Sequence, residues 1–217
     1  MKPEFDVILP VLDERAALPG VLASIPVGFR AIVVDNGSTD GSGPLAASLG
    51  AVVVDEPKRG FGAACFAGLL RAEADVVCLM DCDGSLDGAD LLKVTGPVVA
   101  GKADLVMGRR RASRGAWPVH ARVANVALGA ALKARHHVRV RDIGPMRAAG
   151  RLHLLELGIV DRRFGWPLEM VVRAADAGWR IVEVDVPYHP RQGGQSKVTG
   201  TLKGTLRTVR DMGAVLR

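Results

Sequence analysis

Met80-Asp81-Cys82-Asp83-Gly84-Ser85 sets two carboxylates one residue apart at the polar end of an apolar run, Asp75-Val76-Val77-Cys78-Leu79-Met80. Residues i and i+2 of an extended segment point to one side, so Asp81 and Asp83 could both reach one hard divalent cation. Mg2+ or Mn2+ takes oxygen ligands and is usually held by one or two carboxylates plus substrate phosphates, which makes a nucleotide diphosphate its natural partner. An Asp-x-Asp after an apolar strand is also ordinary turn chemistry, with Asp bonding its own backbone. Taken alone, the pair does not decide between the two.

Such a pair needs elements that hold it at the mouth of a crevice. Asp6-Val7-Ile8-Leu9-Pro10 opens a series of apolar strands, followed by Ala31-Ile32-Val33-Val34-Asp35 with the turn Asn36-Gly37-Ser38-Thr39-Asp40-Gly41, and by Ala51-Val52-Val53-Val54. The spacing predicts helices over Glu14 to Ala23, Gly43 to Leu49 and Gly62 to Ala74, the last with Phe66, Leu69 and Leu70 on one face. Strands alternating with helices predict an α/β fold with a mostly parallel sheet, in which ligands bind beyond the carboxyl ends of the strands. Asp13, Asp35 and the Asp81/Asp83 pair all fall there. Later, Gly165 to Arg173 reads as a helix with Pro167 near its first turn, and Trp179 to Pro187 as a strand.

In this order the motifs resemble the family 2 glycosyltransferases with the GT-A fold, and in particular their polyprenyl-phosphate branch, typified by dolichyl-phosphate mannose synthase. Leu9-Pro10-Val11-Leu12-Asp13-Glu14 resembles the opening nucleotide-binding segment, Val34 to Ser42 the base-binding turn, and Lys58-Arg59-Gly60-Phe61-Gly62 the loop beside the donor. Asp81-Cys82-Asp83 takes the place of the metal-binding Asp-x-Asp. Gly108-Arg109-Arg110 and Arg191 to Gly200 resemble the branch's two phosphate-binding stretches.

The resemblance implies a Rossmann-like αβα sandwich and an inverting displacement on a UDP- or GDP-sugar. Asp35 would read the base; Pro10, Leu12, Glu14, Gly37, Lys58 and Gly60 would border the donor. Asp81 and Asp83 would hold Mg2+ or Mn2+, with Asp83, Glu169 and Arg191 closest to the chemistry. It also implies an acceptor that is a polyprenyl phosphate or another phosphate-bearing compound. Three departures bear on detail. Asn36 stands where the family usually has a second Asp, which takes one charge from the nucleotide pocket. Ser85 stands where many relatives have a Gln that completes the metal shell. Arg141 to Arg147 replaces an Asp followed by a Ser-Gly-Phe-like run, on the acceptor side.

The 217 residues, 48% hydrophobic and without a Pro/Ser-rich linker, predict one domain, with a nucleotide-sugar and metal half over 1–107 and an acceptor half over 108–217. Cys65, Cys78 and Cys82 lie in apolar surroundings without Cys/His ligand spacing, which points to reduced thiols and a cytoplasmic setting. The apolar stretch from Val123 to Leu132 is too short to span a bilayer. At 4% aromatic residues and without an RNP-like run, the net charge of +6 gives no case for nucleic acid. Oligomeric state is not legible.

That charge is concentrated. From Gly101 to Arg122 six basic residues face only Asp104, and from His189 to Arg217 six face only Asp211. Each cluster fits either a solvated basic face or an anion site, since Arg holds phosphate bidentately and glycines let backbone N–H groups approach it. Arg109, Arg191 and Lys197 are the expected phosphate ligands. The terminal segment reads as a helix with Leu202, Leu206, Val209, Met212 and Leu216 on one face beside Lys203, Arg207 and Arg210. It could pack on its own domain or make peripheral contact with an anionic bilayer at the inner face of the cell membrane.

Glu169 is either a general base for an attacking hydroxyl or a first-turn Glu favoured by the helix dipole. A phosphate acceptor needs no base, only positioning and charge neutralisation. His189 is either a ligand of the metal or diphosphate or a structural residue. Two alternatives stay open: a transferase to a soluble hydroxyl acceptor with Glu169 as base, and a non-catalytic nucleotide-sugar-binding subunit.

Overall fold

The computed structural model describes residues 3–113, 115–192, 211–213 and 215. Its seven strands are β1 (Phe5–Val11), β2 (Phe29–Asp35), β3 (Val52–Asp55), β4 (Val76–Leu79), β5 (Leu105–Ala112), β6 (Arg147–Gly150) and β7 (Ile181–Tyr188). Its helices are α1 (Leu18–Ser24), α2 (Ser42–Ser48), α3 (Phe61–Arg71), α4 (Leu91–Val99), α5 (Val119–His136), α6 (Arg151–Glu156) and α7 (Trp166–Asp176). The strands expected in the first half and the late helix and strand all form, with ends shifted by a few residues.

One mixed sheet runs β3-β2-β1-β4-β6-β5-β7. β6 is antiparallel to both its neighbours, β4 and β5, while the remaining pairs are parallel. β6, with the sequence Arg-Ala-Ala-Gly, carries no apolar run that would announce a strand. β1 shows why the centre reads as continuously apolar: Ile8 enters one core and Val7 and Leu9 the other, all fully buried. One core draws on α3, α5, α6 and α7, including Leu69, Leu132, Leu154 and Trp166; the other draws on α1, α2 and α4, including Leu18, Ala46 and Leu91. Helices thus cover both faces of the sheet.

α3 corrects one expectation. Leu69 is buried, but Leu70 is 60% exposed, and the face that meets the sheet is made of Ala63, Ala64, Cys65 and Gly68. The helix lies too close for larger residues, since a Cβ on Gly68 would come within 2.4 Å of the Ile8 Cγ2. The Val123–Leu132 stretch sits inside α5, and no helix among the described residues is long and apolar enough to cross a membrane. Lys197 and most of the expected terminal helix, including Leu202, Lys203, Leu206, Arg207, Val209, Arg210 and Leu216, lie outside the described residues. Of that helix Met212 packs against the first core, beside Val215.

Candidate active site

β4 ends at Leu79, and Asp81 to Ser85 turn over the carboxyl end of the sheet. The Asp83 Oδ1 accepts hydrogen bonds from the Ser85 N–H and the Ser85 hydroxyl, so Ser85 shapes the turn. The segment after β7 lies along it: the His189 N–H donates to the Ser85 carbonyl at 2.9 Å and the Gln192 N–H to the Asp83 carbonyl at 2.8 Å. The Arg191 Nη2 is then 2.8 Å from the Glu14 Oε1 and 3.8 Å from the Asp83 Oδ2.

Glu14, Asp81 and Asp83 form an acidic patch that Arg191 and Arg110 only partly offset. Burial, then repulsion from Asp83 and Glu14, pushes the Asp81 carboxyl up to about 7 against the pull of Arg110 and Arg191. Excess negative charge of this kind suits a hard cation. Among the described residues no three His, Cys, Asp or Glu side chains are grouped to hold a metal. Two carboxylates such as Asp81 and Asp83 could hold an ion only if diphosphate or water oxygens completed its shell.

The side expected to take the nucleotide is built by two loops locked together. The Asp13 N–H donates to the Ser38 Oγ and the Thr39 N–H to the Asp13 Oδ1; the Glu14 N–H donates to the Ser42 Oγ and the Arg15 N–H to the Asp40 Oδ2. Asp13 adopts φ 55°, a left-handed conformation that Asp tolerates better than most side chains. Asp35 ends β2, and its Oδ1 accepts the Ser38 N–H at 2.7 Å, fixing the turn that includes Gly37. Pro10 and Leu12 flank the end of β1, both partly exposed. A cavity of about 560 Å³ beside the first loop is lined by Asp13, Glu14, Arg15, Asp40 and Gln192 among others; Gln192 is hydrogen-bonded to the Asp83 turn, and Glu14 is linked to it through Arg191.

Asn36 corrects the expectation that its neutral side chain merely removes charge from the pocket. It is 6% exposed, and its Nδ2 donates to the carbonyls of Glu56 at 2.8 Å and Lys58 at 2.9 Å, while its Oδ1 accepts the Gly60 N–H at 2.8 Å. An Asp could not donate both bonds. Asn36 thus latches the loop that carries Lys58 and Gly60 to the end of β2. Gly60 has φ 151°, and a Cβ there would lie 2.1 Å from the Arg162 carbonyl oxygen.

Strand alternation sorts the arginines of β5. Arg109 stands opposite Asp185 of β7 and pairs with it, and Arg111 on the same face does likewise. Arg110 turns the other way. It bonds both oxygens of buried Asp142, lies 3.7 Å from the Trp117 ring centroid, and acts on Asp81. The cation that β5 brings to the site is therefore Arg110, where Arg109 was expected. Tyr188 joins it from β7, its hydroxyl hydrogen-bonded to Ser85; burial and the two nearby aspartates raise its pKa. The signal for Arg110 was parity along the strand, which becomes readable once the register with β7 is known.

Glu169 lies in the first turn of α7, 6% exposed, and its oxygens accept the Val160 N–H, the Asp161 N–H and the Arg173 Nε. A carboxylate with three donors from the loop and from its own helix is well placed to hold the 157–161 loop.

Residues 6–151 match the family described as glycosyl transferase family 2. The chain belongs to this family. It is 52% identical over 211 residues to an uncharacterized glycosyltransferase of Mycobacterium tuberculosis (strain ATCC 25618 / H37Rv), covering 97% of this chain and 96% of that relative. It is 32% identical over 215 residues to the polyprenol monophosphomannose synthase of Mycolicibacterium smegmatis, covering 90% of this chain and 81% of that one. Among solved structures it is similar to glucosyl-3-phosphoglycerate synthase from Mycobacterium tuberculosis in complex with Mn2+, UDP and phosphoglyceric acid, with a TM-score of 0.75 at 25% identity over 98% of this chain and 76% of that one. The sheet and its helical layers are accordingly GT-A-like, and as a family 2 glycosyltransferase the protein transfers a sugar from a nucleotide sugar.

Proposed function

We propose that the acceptor is a phosphate, most simply that of a polyprenyl phosphate, attacking the anomeric carbon of the nucleotide sugar with inversion. The observation that carries this reading is the state of Glu169. Its three donors engage Glu169, the base expected for a neutral hydroxyl, in holding the 157–161 loop, whereas a phosphate is already an anionic nucleophile and needs no base. The polyprenol monophosphomannose synthase relative, named for a lipid-phosphate product, and a 31% identical undecaprenyl-phosphate mannosyltransferase of Micrococcus luteus, named for a lipid phosphate, support it.

Asp35, Gly37, Lys58 and Gly60 border the donor, with Pro10, Leu12 and Glu14 beneath it. Asp81 and Asp83 would hold Mg2+ or Mn2+, and the bound ion would supply positive charge to a nucleoside diphosphate leaving group. Arg191, poised between Glu14 and Asp83, and Arg110 neutralise phosphate, joined by Lys197.

The test is nucleoside diphosphate release from UDP-, GDP- and dTDP-sugars with Mn2+, with and without polyprenyl phosphate, with Asp83→Ala as control. Release that requires both the lipid phosphate and Asp83 is expected. Release indifferent to the lipid refutes the acceptor assignment and leaves a soluble acceptor; no release under any condition refutes transfer itself.

A further inference from the structure

Each carboxylate buried among the described residues has a cation beside it: Asp6 has Arg30, Asp90 has Lys93, Asp142 has Arg110, Glu169 has Arg173 and Asp211 has Arg163. The buried cation among them has no carboxylate. Arg147, 2% exposed, donates its Nε to the Gly144 carbonyl and its Nη1 to the Pro167 carbonyl, with the Met170 Sδ at 3.6 Å, and its Nη2 has no partner. Burial pulls its pKa down to about 10, partly opposed by Cys65, Asp142 and Asp81, and the guanidinium is still charged at neutral pH. Burial pushes the Cys65 thiol well up, so Cys65 supplies no negative charge there. Carbonyls hold a guanidinium without cancelling its charge, and a charge in a water-poor interior acts more strongly than one in water.

The position of Arg147 gives that charge something to act on. It opens β6 opposite Leu79, the last residue of β4, and opposite Met107 of β5. Asp81 follows Leu79 by two residues and is one of the groups whose charge acts on Arg147. The guanidinium thus lies behind the Asp81 turn, between the sheet and the start of α7. The cations beside the turn are already paired, Arg191 with Glu14 and Arg110 with Asp142. A nucleoside diphosphate approaching Glu14, Asp81 and Asp83 meets an acidic patch, and Arg147 is the positive charge behind it that no carboxylate cancels.

We infer that Arg147 is a positioning residue of the transfer reaction, a buried positive charge that, without touching the donor, lets the acidic turn accept an anionic nucleoside diphosphate. The inference rests on the placing of donor diphosphate and ion at Asp81 and Asp83, and not on the acceptor. A charge and a purely structural link differ in what their removal does. Taking away a positive charge weakens the binding of an anion, strengthens that of a cation and leaves a neutral ligand alone, whereas loosening the crevice weakens all three.

The experiment titrates the full chain with three probes: whichever of UDP, GDP and dTDP the wild type binds most tightly, in the presence of chelator; its parent nucleoside; and Mn2+ alone. Arg147→Gln and Arg147→Met remove the charge, Arg147→Lys keeps it, and Asp83→Ala is the control. In the neutral variants the nucleoside diphosphate should bind about tenfold more weakly and Mn2+ several-fold more tightly, with the nucleoside unchanged. The Lys variant should stay near wild type for all three. Weaker binding of all three probes, unchanged binding of all three, or a Lys variant that behaves like the neutral ones overturns the proposal. So does a fold that accepts neither neutral residue, which would give Arg147 to stability alone. Mn2+ binding that Asp83→Ala leaves intact, or wild type that fails to bind Mn2+ or any of the diphosphates, removes the placing of the donor instead, and the inference falls with it.

Discussion

Asn36→Asp replaces one donor group by an oxygen, and the latch around it sets the size of the effect. In the native chain the Nδ2 of buried Asn36 serves two carbonyls, those of Glu56 and Lys58. The substitution removes both bonds and leaves each carbonyl unsatisfied, at roughly 1–3 kcal/mol apiece. An ionised carboxylate would also face two carbonyl dipoles with only the Gly60 N–H in compensation. The expected loss near neutral pH is about 3–5 kcal/mol, or a fall of about 6–20 °C in Tm for a domain of this size.

The loss should depend on pH in a defined direction. The introduced carboxyl would have its pKa raised in the folded state above about 3.9, its unfolded value. Below that value both states are protonated, the neutral carboxyl can donate one bond, and most of the penalty disappears. As pH rises towards the folded pKa, stability is progressively lost. Thermal denaturation of wild type and variant from about pH 4 to pH 7 measures this. Because the same loop carries Lys58 and Gly60, nucleoside diphosphate affinity should also fall, by about tenfold, in calorimetric titration. A variant within about 0.5 kcal/mol of wild type at every pH would show that Asn36 does not latch this loop.

Gly60→Ala should cost more than about 3 kcal/mol, read by chemical denaturation, because its Cβ would overlap the Arg162 carbonyl and its φ is positive. Glu169→Gln should lower stability by about 1–3 kcal/mol but reduce transfer to a phosphate acceptor less than about tenfold, whereas loss of a true base would cost about 10²–10⁴-fold. Arg110→Ala strips the guanidinium from Asp142, which is 2% exposed and keeps only the backbone N–H of residue 110 from that strand, and should cost about 3–5 kcal/mol. Arg109→Ala leaves Asp185 paired with Arg111 and should change stability by under about 1 kcal/mol; equal effects in the two would refute the sorting of β5. Because the Asp81 carboxyl is pushed up to about 7, protons compete with Mn2+, so affinity should fall as pH drops below that value and binding should release protons. Calorimetry in buffers of different ionisation enthalpy detects that release; none at pH 6, about one unit below, would refute it.

What the chain reveals about itself divides along the range of the interactions involved. The strand ends that carry Asp13, Asp35 and Asp81 were legible because each is a local event, an apolar run closed by a turn. The sheet then brings such ends together without further instruction. β6 was not legible: its Arg-Ala-Ala-Gly is a strand only because Leu79 and Met107 offer hydrogen-bonding edges on either side. The choice between Arg109 and Arg110 was lost for a related reason, since three consecutive arginines give no sign of which parity faces the site until Asp185 and Asp142 arrive from distant parts of the chain. Asn36 is the sharpest case. Beside a family that usually has Asp it looks like a loss of charge, yet a side chain that donates twice and accepts once matches the two carbonyls and one N–H it meets, and an Asp would match only one of the three. A departure from a family pattern at a buried position is therefore better read by counting the donors and acceptors around it than by counting the charge removed.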